Sequence, residues 1–293
     1  DRLFAGEVVN PSENRAATHW AERRPGADAG VRSLVERVAG RDFGKIRHLL
    51  HIGIGGSALG PALLLDALRG DESAYETAVV SNVDGQALAD AFARLKARKT
   101  LLVVVSKTFT TQETMLNART ALDWLASRGV KHPLARVVAV TAAPEAALAF
   151  GVPEANILPF AETVGGRYSL WSAVGVTAAL ALGLDRWDAL RAGAAAMDAH
   201  FREAPPEANA PVLAKYDTVF NGFAARLTED EARELEPVAA GAEIARMRKI
   251  IKMSATMAAT MAATKNSASF HHTFSGGTQD TTIMVIPMAI STT

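Results

Sequence analysis

The sequence predicts an α/β fold in which a parallel β-sheet is sandwiched between helices in a doubly wound arrangement. Apolar, β-rich runs alternate with longer segments of helical period between Arg47 and Pro159, and such alternation is typical of parallel sheets covered by helices. The run LLVVV at residues 101–105 is apolar without interruption, which suits a strand buried on both faces. After Leu213 the composition changes, and we expect a helical and low-complexity C-terminal segment there.

The alternating region is predicted to contain five strands and four helices. The strands are His48–Ile54, Thr77–Val80, Thr100–Val105, Arg136–Val140 and Ile157–Leu158, and the helices are Ser57–Arg69, Gly85–Ala97, Thr111–Ser127 and Pro144–Phe150. Further helices are predicted at Leu170–Leu184, Arg186–Arg202 and Glu229–Leu235. The second of these ends before Pro205-Pro206, because proline cannot continue a helix.

Composition excludes several classes of function. The 293 residues carry 31 basic and 31 acidic side chains, so no broad positive field gathers nucleic acid or an anionic membrane, and an anion must be bound locally. The absence of cysteine removes disulfides and thiolate chemistry and agrees with a reducing cytosol. The apolar stretch Ala173–Leu184 falls short of the roughly 20 residues that a membrane-spanning helix needs. We therefore expect a soluble, cytoplasmic protein.

The C-terminal segment has a composition of its own. Between Lys252 and Thr293 only Lys252, Lys265 and Asp280 are charged. The repeat MSATMAATMAAT, residues 253–264, places methionines four residues apart, which is compatible with one face of a helix. Exact repetition is more often typical of low complexity, and residues 214–293 are expected to be helical or partly disordered.

A glycine-rich turn follows the first predicted strand. The stretch HIGIGGSALGP, residues 51–61, passes through Gly53, Gly55, Gly56 and Ser57 into a predicted helix. Glycines let the backbone turn tightly and present N–H groups to an anion at the positive end of the helix dipole. The same letters satisfy a loose dinucleotide-binding pattern, and a turn that only packs a helix on the sheet remains a third interpretation.

A second polar loop follows the LLVVV strand. The stretch SKTFTTQET contains Ser106, Lys107, Thr108, Thr110 and Thr111. Hydroxyl groups, an ammonium and the N–H groups of a first helical turn form the kind of cradle that a phosphate dianion needs. Taken alone, such a cluster could be N-capping. Two such loops at the carboxyl edge of one parallel sheet favour a ligand site.

A third stretch, ETVGGRYSLWSAVG at residues 162–175, delivers Arg167 after a double glycine, just before a predicted helix. An arginine in that position can hold a phosphate or stabilise a developing oxyanion. The alternative is a surface arginine that caps a helix-rich segment.

Together these stretches resemble the signature segments of the glucose-6-phosphate isomerase family, in the same order. The opening GEVVNPSENRAATHWAERR, residues 6–24, also resembles a segment near the start of that family. The resemblance covers about residues 3–213. It implies a sugar isomerase (SIS) domain over residues 47–213, preceded by an N-terminal helical arm over residues 1–46. The stretch YDTVFNGFAARLTEDEAREL, residues 216–235, is similar instead to part of a subtilisin-type propeptide.

The resemblance implies a role for each matching residue. Ser106, Lys107, Thr108 and Thr111 hold the substrate phosphate, and Gly56 and Ser57 touch the sugar. Arg167 stabilises the enediolate, and Glu113 belongs to the polar network beside the reacting carbons. The implied reaction moves a proton between C1 and C2 of glucose 6-phosphate and fructose 6-phosphate, in glycolysis and gluconeogenesis. It needs no metal and no organic cofactor.

Other family segments are not found. The family's general base lies in a stretch like GEPGTN, and neither this stretch nor the later histidine and lysine patterns occur in the sequence. The alternative hypothesis is therefore a non-catalytic module that binds sugar phosphate, and nucleotide binding through the Gly53 turn is a third. The expected partner is a hexose 6-phosphate, with no nucleic acid and no membrane, and the family resemblance suggests a homodimer.

Overall fold

The computed structural model describes residues 2–11, 13–68 and 73–205, together with the backbone of three short strands further along the chain. The chain divides into two compact units, Asp1–Asp198 and Ala199–Thr293. The predicted helix Glu229–Leu235 and the repeat at residues 253–264 lie outside the described residues.

The N-terminal region combines a small β-ribbon with a single α-helix. Strands β1 (Val8–Asn10) and β2 (Arg15–Ala16) pair antiparallel, and a 3-10 turn follows at Ala21–Arg23. Helix α1 (Ala29–Ala39) buries one apolar face, made of Val31, Leu34 and Val38. The segment 1–46, expected as a helical arm, is thus helical only in its second half, because Gly6, Pro11, Pro25 and Gly26 interrupt any earlier helical period.

The centre of the first unit is a five-stranded parallel sheet. Its strands are β3 (His48–Ile52), β4 (Glu76–Val80), β5 (Thr100–Val105), β6 (Val137–Thr141) and β7 (Ile157–Pro159), in the spatial order β4-β3-β5-β6-β7. All residues of β3, β5 and β6 are buried, as the uninterrupted apolar runs predicted. The α/β fold with a parallel sheet is therefore confirmed.

Helices cover both faces of the sheet. They are α2 (Gly56–Leu68), α3 (Gly85–Arg94), α4 (Gln112–Ser127), α5 (Pro144–Phe150), α6 (Val176–Leu182) and α7 (Leu184–Glu203). The helices α3, α4 and α5 share one buried apolar cluster with alternate residues of the strands, whereas α2 and α1 pack with α6. Within the described part of the chain, none of the helices combines the length and the apolar character required to cross a membrane.

The predicted helix Leu170–Leu184 is divided in the structure. Two 3-10 turns, Gly166–Trp171 and Ala173–Gly175, precede α6. The break falls at Ser172, whose backbone is extended and whose hydroxyl accepts a hydrogen bond from the backbone N–H of Val174. Serine favours such local capping over a helix interior, so the polar residue ends one turn and begins the next.

A buried polar network joins α1 to α7. Trp187 is fully buried, and its indole N–H donates to a carboxylate oxygen of Asp28 at 3.1 Å. The same carboxylate forms ion pairs with Arg32 at 3.1 Å and with Arg191 at 3.6 Å. Asp28 is 5% exposed, so these donors satisfy a charge that would otherwise be costly to bury.

In the second unit the structure describes the end of α7 and three strands. These are β8 (Val212–Lys215), β9 (Phe223–Leu227) and β10 (Thr282–Met284), which form an antiparallel sheet in the order β10-β9-β8.

Candidate functional site

The sheet has a switch point between β3 and β5. These strands are neighbours, but β3 leads through α2 to β4 at one edge, and β5 leads through α4 to β6 on the other side. The helices α2 and α4 cover opposite faces, which opens a crevice at the carboxyl ends of β3 and β5. Ligands of open α/β sheets bind in this crevice.

The glycine-rich turn lies on the β3 side of the crevice. A Cβ atom on Gly53 would meet the backbone oxygen of Val105 at 3.0 Å, so the two strand ends approach too closely for a side chain. Gly55 has a φ of +58°, in the left-handed region that favours glycine. Gly56 then begins α2, and Ser57 is half-buried, with no hydrogen bond to its hydroxyl group among the described residues. The hydroxyl of Ser57 is therefore available to a ligand.

The Ser/Thr loop, residues 106–111, lies on the β5 side of the crevice. Ser106 is 3% exposed, and its Oγ lies 3.1 Å from Oγ1 of Thr111 and accepts the N–H of Phe109 at 3.1 Å. The hydroxyl oxygen of Thr108 accepts hydrogen bonds from the backbone N–H and the hydroxyl of Thr110, at 3.3 and 2.8 Å. These contacts fold the loop into a compact turn around its own hydroxyl groups.

The N-terminus of α4 is not capped by Thr111. The side chain of Thr111 makes no capping hydrogen bond, and the backbone bond from Met115 to Thr111 is the first that closes the helix. The N–H groups of the first turn consequently have no acceptor within the helix. This geometry favours the phosphate cradle over the simple N-capping interpretation.

Lys107 links the Ser/Thr loop to the arginine loop, which is the segment from Glu162 to Ser169 that carries Arg167. Its ammonium donates to the backbone oxygen of Glu162 at 2.5 Å, and Arg15 donates to the same oxygen at 3.0 Å. Burial lowers the pKa of Lys107, and the charge of Arg15 lowers it further, whereas Glu162 and Glu13 raise it. The lysine thus fixes two loops at the crevice and sets two cations side by side there.

The arginine loop contacts the glycine turn directly. A Cβ atom on Gly56 would lie only 2.1 Å from the backbone oxygen of Gly166 and 2.9 Å from the N atom of Arg167. The hydroxyl of Ser169 donates to the oxygen of Gly166 at 2.7 Å. Glycine at residue 56 is therefore required for the close contact that brings Arg167 beside the glycine-rich turn.

The guanidinium of Arg167 is exposed and forms no ion pair with any described residue. Its Cζ atom lies 5.7 Å from the centroid of the Tyr168 ring, and that ring stacks on His19 at 4.5 Å with an interplanar angle of 21°. Burial raises the pKa of Tyr168. An unpaired cation over a held aromatic ring is available for an anionic ligand.

Glu113 lies in the first turn of α4 and is exposed. Its carboxylate makes no hydrogen bond or ion pair within the described residues. A carboxylate is favourable at this end of a helix because of the helix dipole. Its contact with a ligand stays a prediction.

The residues that hold the arginine loop from behind carry no local sequence pattern of their own. Arg15 contacts Glu162, the hydroxyl of Thr18 lies 2.6 Å from that of Thr163, and His19 stacks on Tyr168. These residues are more than 140 positions apart in the chain. The only sequence signal for them is the family resemblance of residues 6–24, which does not predict the residues that they contact.

Two clefts occur elsewhere, on either side of the edge strand β4. The larger, of about 580 Å³, is lined by residues of β4 and α3. The smaller, of about 330 Å³, lies between β4 and α2. Neither gathers the hydroxyl groups and cations of the switch point, so we place the functional site at the switch point. No group of three or more potential metal ligands occurs among the described residues.

An open parallel sheet whose switch point gathers hydroxyl groups, a lysine and an arginine is typical of α/β proteins that bind a small anionic ligand at the carboxyl ends of their strands. A family model described as phosphoglucose isomerase matches residues 1–233, a range that extends beyond Leu213. The chain belongs to the phosphoglucose isomerase family.

Similar proteins carry the corresponding name. The glucose-6-phosphate isomerase of Rhizorhabdus wittichii is 53% identical over 253 residues, which are 81% of this chain and 51% of that protein. That of Zymomonas mobilis is 54% identical over 224 residues, covering 73% of this chain and 44% of that protein. The chain therefore spans about half the length of the curated relatives that it matches.

Solved structures show the same fold. A glucose-6-phosphate isomerase from Chlamydia trachomatis aligns with a TM-score of 0.58 at 28% identity, over 70% of this chain and 42% of that one. A hypothetical protein from Thermus thermophilus aligns with a TM-score of 0.57 at 27% identity, over 71% of this chain and 48% of that one. The predicted SIS-type fold of the first unit is confirmed.

Proposed function

We propose that the protein is an aldose–ketose isomerase that interconverts glucose 6-phosphate and fructose 6-phosphate through a cis-enediolate. The observation that carries the proposal is the meeting of three loops at the switch point. Gly56 contacts the backbone beside Arg167, and Lys107 is bonded to the same loop. Family membership supports the choice of substrate.

In this proposal the Ser/Thr loop binds the phosphate group. The hydroxyls of Ser106, Thr108 and Thr111 and the N–H groups of the first turn of α4 donate to the phosphate oxygens, while Lys107 supplies positive charge. Gly56 and Ser57 contact the sugar. The net charge of the chain is zero, so this local cluster supplies the attraction for the dianion.

Arg167 and Glu113 act at the reacting end of the sugar. Removal of a proton from C2 of the aldose, or from C1 of the ketose, places negative charge on the enediolate oxygens, and the guanidinium of Arg167 stabilises that charge. Glu113 accepts hydrogen bonds from hydroxyl groups beside the reacting carbons. The step needs a carboxylate that moves the proton and a cation over the enediolate, so the proposed reaction uses no metal or organic cofactor.

A coupled assay on the purified chain tests the proposal. Fructose 6-phosphate is supplied, and glucose 6-phosphate is followed through a dehydrogenase that reduces NADP. We expect turnover above the enzyme-free rate, with loss of substrate affinity in Lys107→Ala and Thr111→Ala. The matched control is Thr120→Ala, which removes a threonine from an exposed position on α4. A rate equal to that of buffer contradicts the isomerase proposal.

The second candidate is a non-catalytic module that binds sugar phosphate. It is favoured by one observation, the absence from the sequence of the GEPGTN-like stretch that carries the family's general base. Calorimetric titration with fructose 6-phosphate separates the two candidates. Binding that depends on Lys107 and Thr111 without any turnover supports the module, and binding with turnover supports the enzyme.

We further propose that the protein acts in the cytoplasm as a homodimer, with neither nucleic acid nor a membrane as partner. The family resemblance supports the dimer, and the zero net charge and lack of cysteine support the location and the absence of polyanion partners. Light scattering of the purified chain, with and without fructose 6-phosphate, measures the oligomeric state, and a monomer contradicts this part of the proposal.

A further inference from the structure

Helix α2 contains a proline that removes one of its own hydrogen bonds. Pro61 lies inside the helix, and the residue four positions before it is Ser57. In a regular helix the N–H of residue 61 would donate to the carbonyl of Ser57, but proline has no N–H, and its ring pushes that carbonyl aside. A buried carbonyl without a donor is costly, so another group must donate to it.

The imidazole of His51 supplies the missing donor. Its Nε2 atom lies 2.7 Å from the carbonyl oxygen of Ser57, and its Nδ1 atom lies 2.8 Å from the hydroxyl oxygen of Thr177. A carbonyl oxygen only accepts, so Nε2 carries the proton, and Nδ1 accepts from the threonine hydroxyl. Both His51 and Thr177 are completely buried.

Burial also keeps the ring in this neutral form. Desolvation lowers the pKa of His51 from 6.5 to about 4, although the bond to the Ser57 carbonyl acts in the opposite direction. One neutral ring therefore joins strand β3, which carries it, to the first turn of α2 and to helix α6.

The bond acts on the turn that faces the crevice. Ser57 belongs to the tight turn at the start of α2, where its N–H donates to Ile54 at 3.1 Å. Its neighbour Gly56 lies in direct contact with Gly166, next to Arg167. A shift of the Ser57 carbonyl therefore moves both the Ser57 hydroxyl and the contact with the arginine loop.

We propose that His51 is a positioning residue for the sugar-binding turn, because it replaces the helical hydrogen bond that Pro61 eliminates. It does not touch the ligand. It holds the first turn of α2 in the orientation that places Ser57 in the crevice and Gly56 against the arginine loop. The inference rests on the proposed function to the extent that Ser57 contacts a sugar phosphate.

A compensating pair of substitutions tests the inference. His51→Leu removes the donor, whereas Pro61→Ala restores the helical N–H at residue 61, so the double variant regains a donor to Ser57 without regaining the histidine. Glucitol 6-phosphate, which cannot isomerise, is titrated calorimetrically. We expect His51→Leu to weaken binding by roughly tenfold, the effect of one hydrogen bond, and the double variant to recover most of this loss.

The control is Thr100→Val. Thr100 begins β5 and lies at the end of the strand that is away from the crevice. Thr100 is also completely buried, and its hydroxyl donates to a carbonyl, that of Lys96 at 3.0 Å. This variant should lower the melting temperature without a change in ligand affinity. If His51→Leu behaves in the same way, or if Pro61→Ala restores nothing in the double variant, the positioning role is wrong.

Amide hydrogen exchange is a second test of the inference, and it needs no ligand. Exchange over residues 54–59 should become faster in His51→Leu and slower again in the double variant. Equal exchange in all three proteins contradicts the inference. If the wild-type chain does not bind glucitol 6-phosphate, the proposed function fails, while the exchange experiment still decides the role of His51.

Discussion

Phe109 fixes the backbone of the Ser/Thr loop. Its φ angle is +54°, in a region that bulky side chains rarely adopt, and its ring is 3% exposed. The ring packs edge-on against Phe150 at 5.7 Å and belongs to the apolar cluster shared by α3, α4 and α5. Burial of an aromatic side chain stabilises by about 1.5–3 kcal/mol, which is of the same order as a backbone strain of about 1–3 kcal/mol. The buried ring therefore holds Ser106 and Thr108 in position at the crevice.

At Arg167 we expect substitution to affect turnover more than binding. The enediolate charge exists only along the reaction path, so Arg167→Ala should lower kcat by about 100-fold or more and change KM far less. Steady-state kinetics of the coupled assay measure both constants. Arg94→Ala removes an exposed arginine from α3 and should change neither. Equal changes in kcat and 1/KM for Arg167→Ala would instead indicate a contact with the ground-state phosphate.

At His19 we expect one substitution to stabilise the protein. Its Nδ1 atom is buried and has no hydrogen-bond partner among the described residues, and burial together with Arg23 lowers the pKa of its ring to about 4. His19→Phe keeps the stacked ring on Tyr168 and removes the unsatisfied nitrogen. The melting temperature should rise by about 2–4 °C for each kcal/mol gained.

The comparison with His19→Ala isolates the ring itself. This variant loses the stack on Tyr168 and should melt below the wild type. Differential scanning calorimetry of the three proteins measures the order. A His19→Phe variant that melts at or below the temperature of the wild type would show that the nitrogen is satisfied in solution.

Among the secondary-structure elements, the segment from β2 to the first 3-10 turn packs against the arginine loop and supports it. Three successive contacts join them, between Arg15 and Glu162, between Thr18 and Thr163, and between His19 and Tyr168. On its other side the arginine loop is joined to the glycine turn through Gly56. The loop that carries Arg167 is thus held between two elements from distant parts of the chain.

The contact between α2 and the arginine loop should not tolerate a methyl group. In Gly56→Ala the added carbon would lie 2.1 Å from a backbone oxygen of Gly166, and backbone cannot rotate away as a side chain can. We expect a loss of stability of about 1–3 kcal/mol, typical of overpacking, and a loss of affinity for sugar phosphate. Urea unfolding and calorimetry measure the two effects.

Gly85→Ala is the matched control. Gly85 also begins a helix, α3, but a Cβ atom there meets nothing within 4 Å. Alanine should therefore leave the stability unchanged or raise it by about 0.4–1 kcal/mol. If both alanine variants behave alike, the close contact at Gly56 does not exist in solution.

At the scale of the whole molecule, stability should fall as the pH is lowered below about 6.5. Burial lowers the pKa values of His19, His48 and His51, those of His19 and His51 to about 4. Between pH 6.5 and 4 the unfolded chain binds protons at His19 and His51, whereas the folded chain does not, and the lowered pKa of His48 acts in the same direction. The free energy of unfolding therefore decreases with falling pH, by up to about 1.4 kcal/mol per pH unit for each such ring.

Urea unfolding at pH 7, 6 and 5 measures this slope. His51 is completely buried, and its pKa is lowered as far as that of His19, so it should contribute a full share of the slope. His51→Gln, which retains an amide donor, should therefore show a smaller slope than the wild type. Identical slopes would mean that His51 titrates in the folded protein as it does in the unfolded chain.

The sequence alone predicts the fold class correctly, and it also predicts the residues of a ligand site. Continuous apolar runs predict strands buried on both faces, and glycines, hydroxyl groups and an arginine after strand ends predict a ligand site at one sheet edge. Such features are local, because backbone propensity and hydrophobic period are properties of neighbouring residues. The break at Ser172 escaped the prediction, since a capping hydroxyl competes with an otherwise apolar helical pattern.

Which groups meet is visible only in the folded structure. Only the fold brings Arg15 and His19 behind Arg167, directs the ammonium of Lys107 to the carbonyl of Glu162, and places His51 under the carbonyl that Pro61 leaves without a donor. Contacts between residues so far apart depend on the strand order and on burial, which no local pattern encodes. The physical reason is that these hydrogen bonds form only after the sheet has assembled and excluded the water that would otherwise satisfy the same groups.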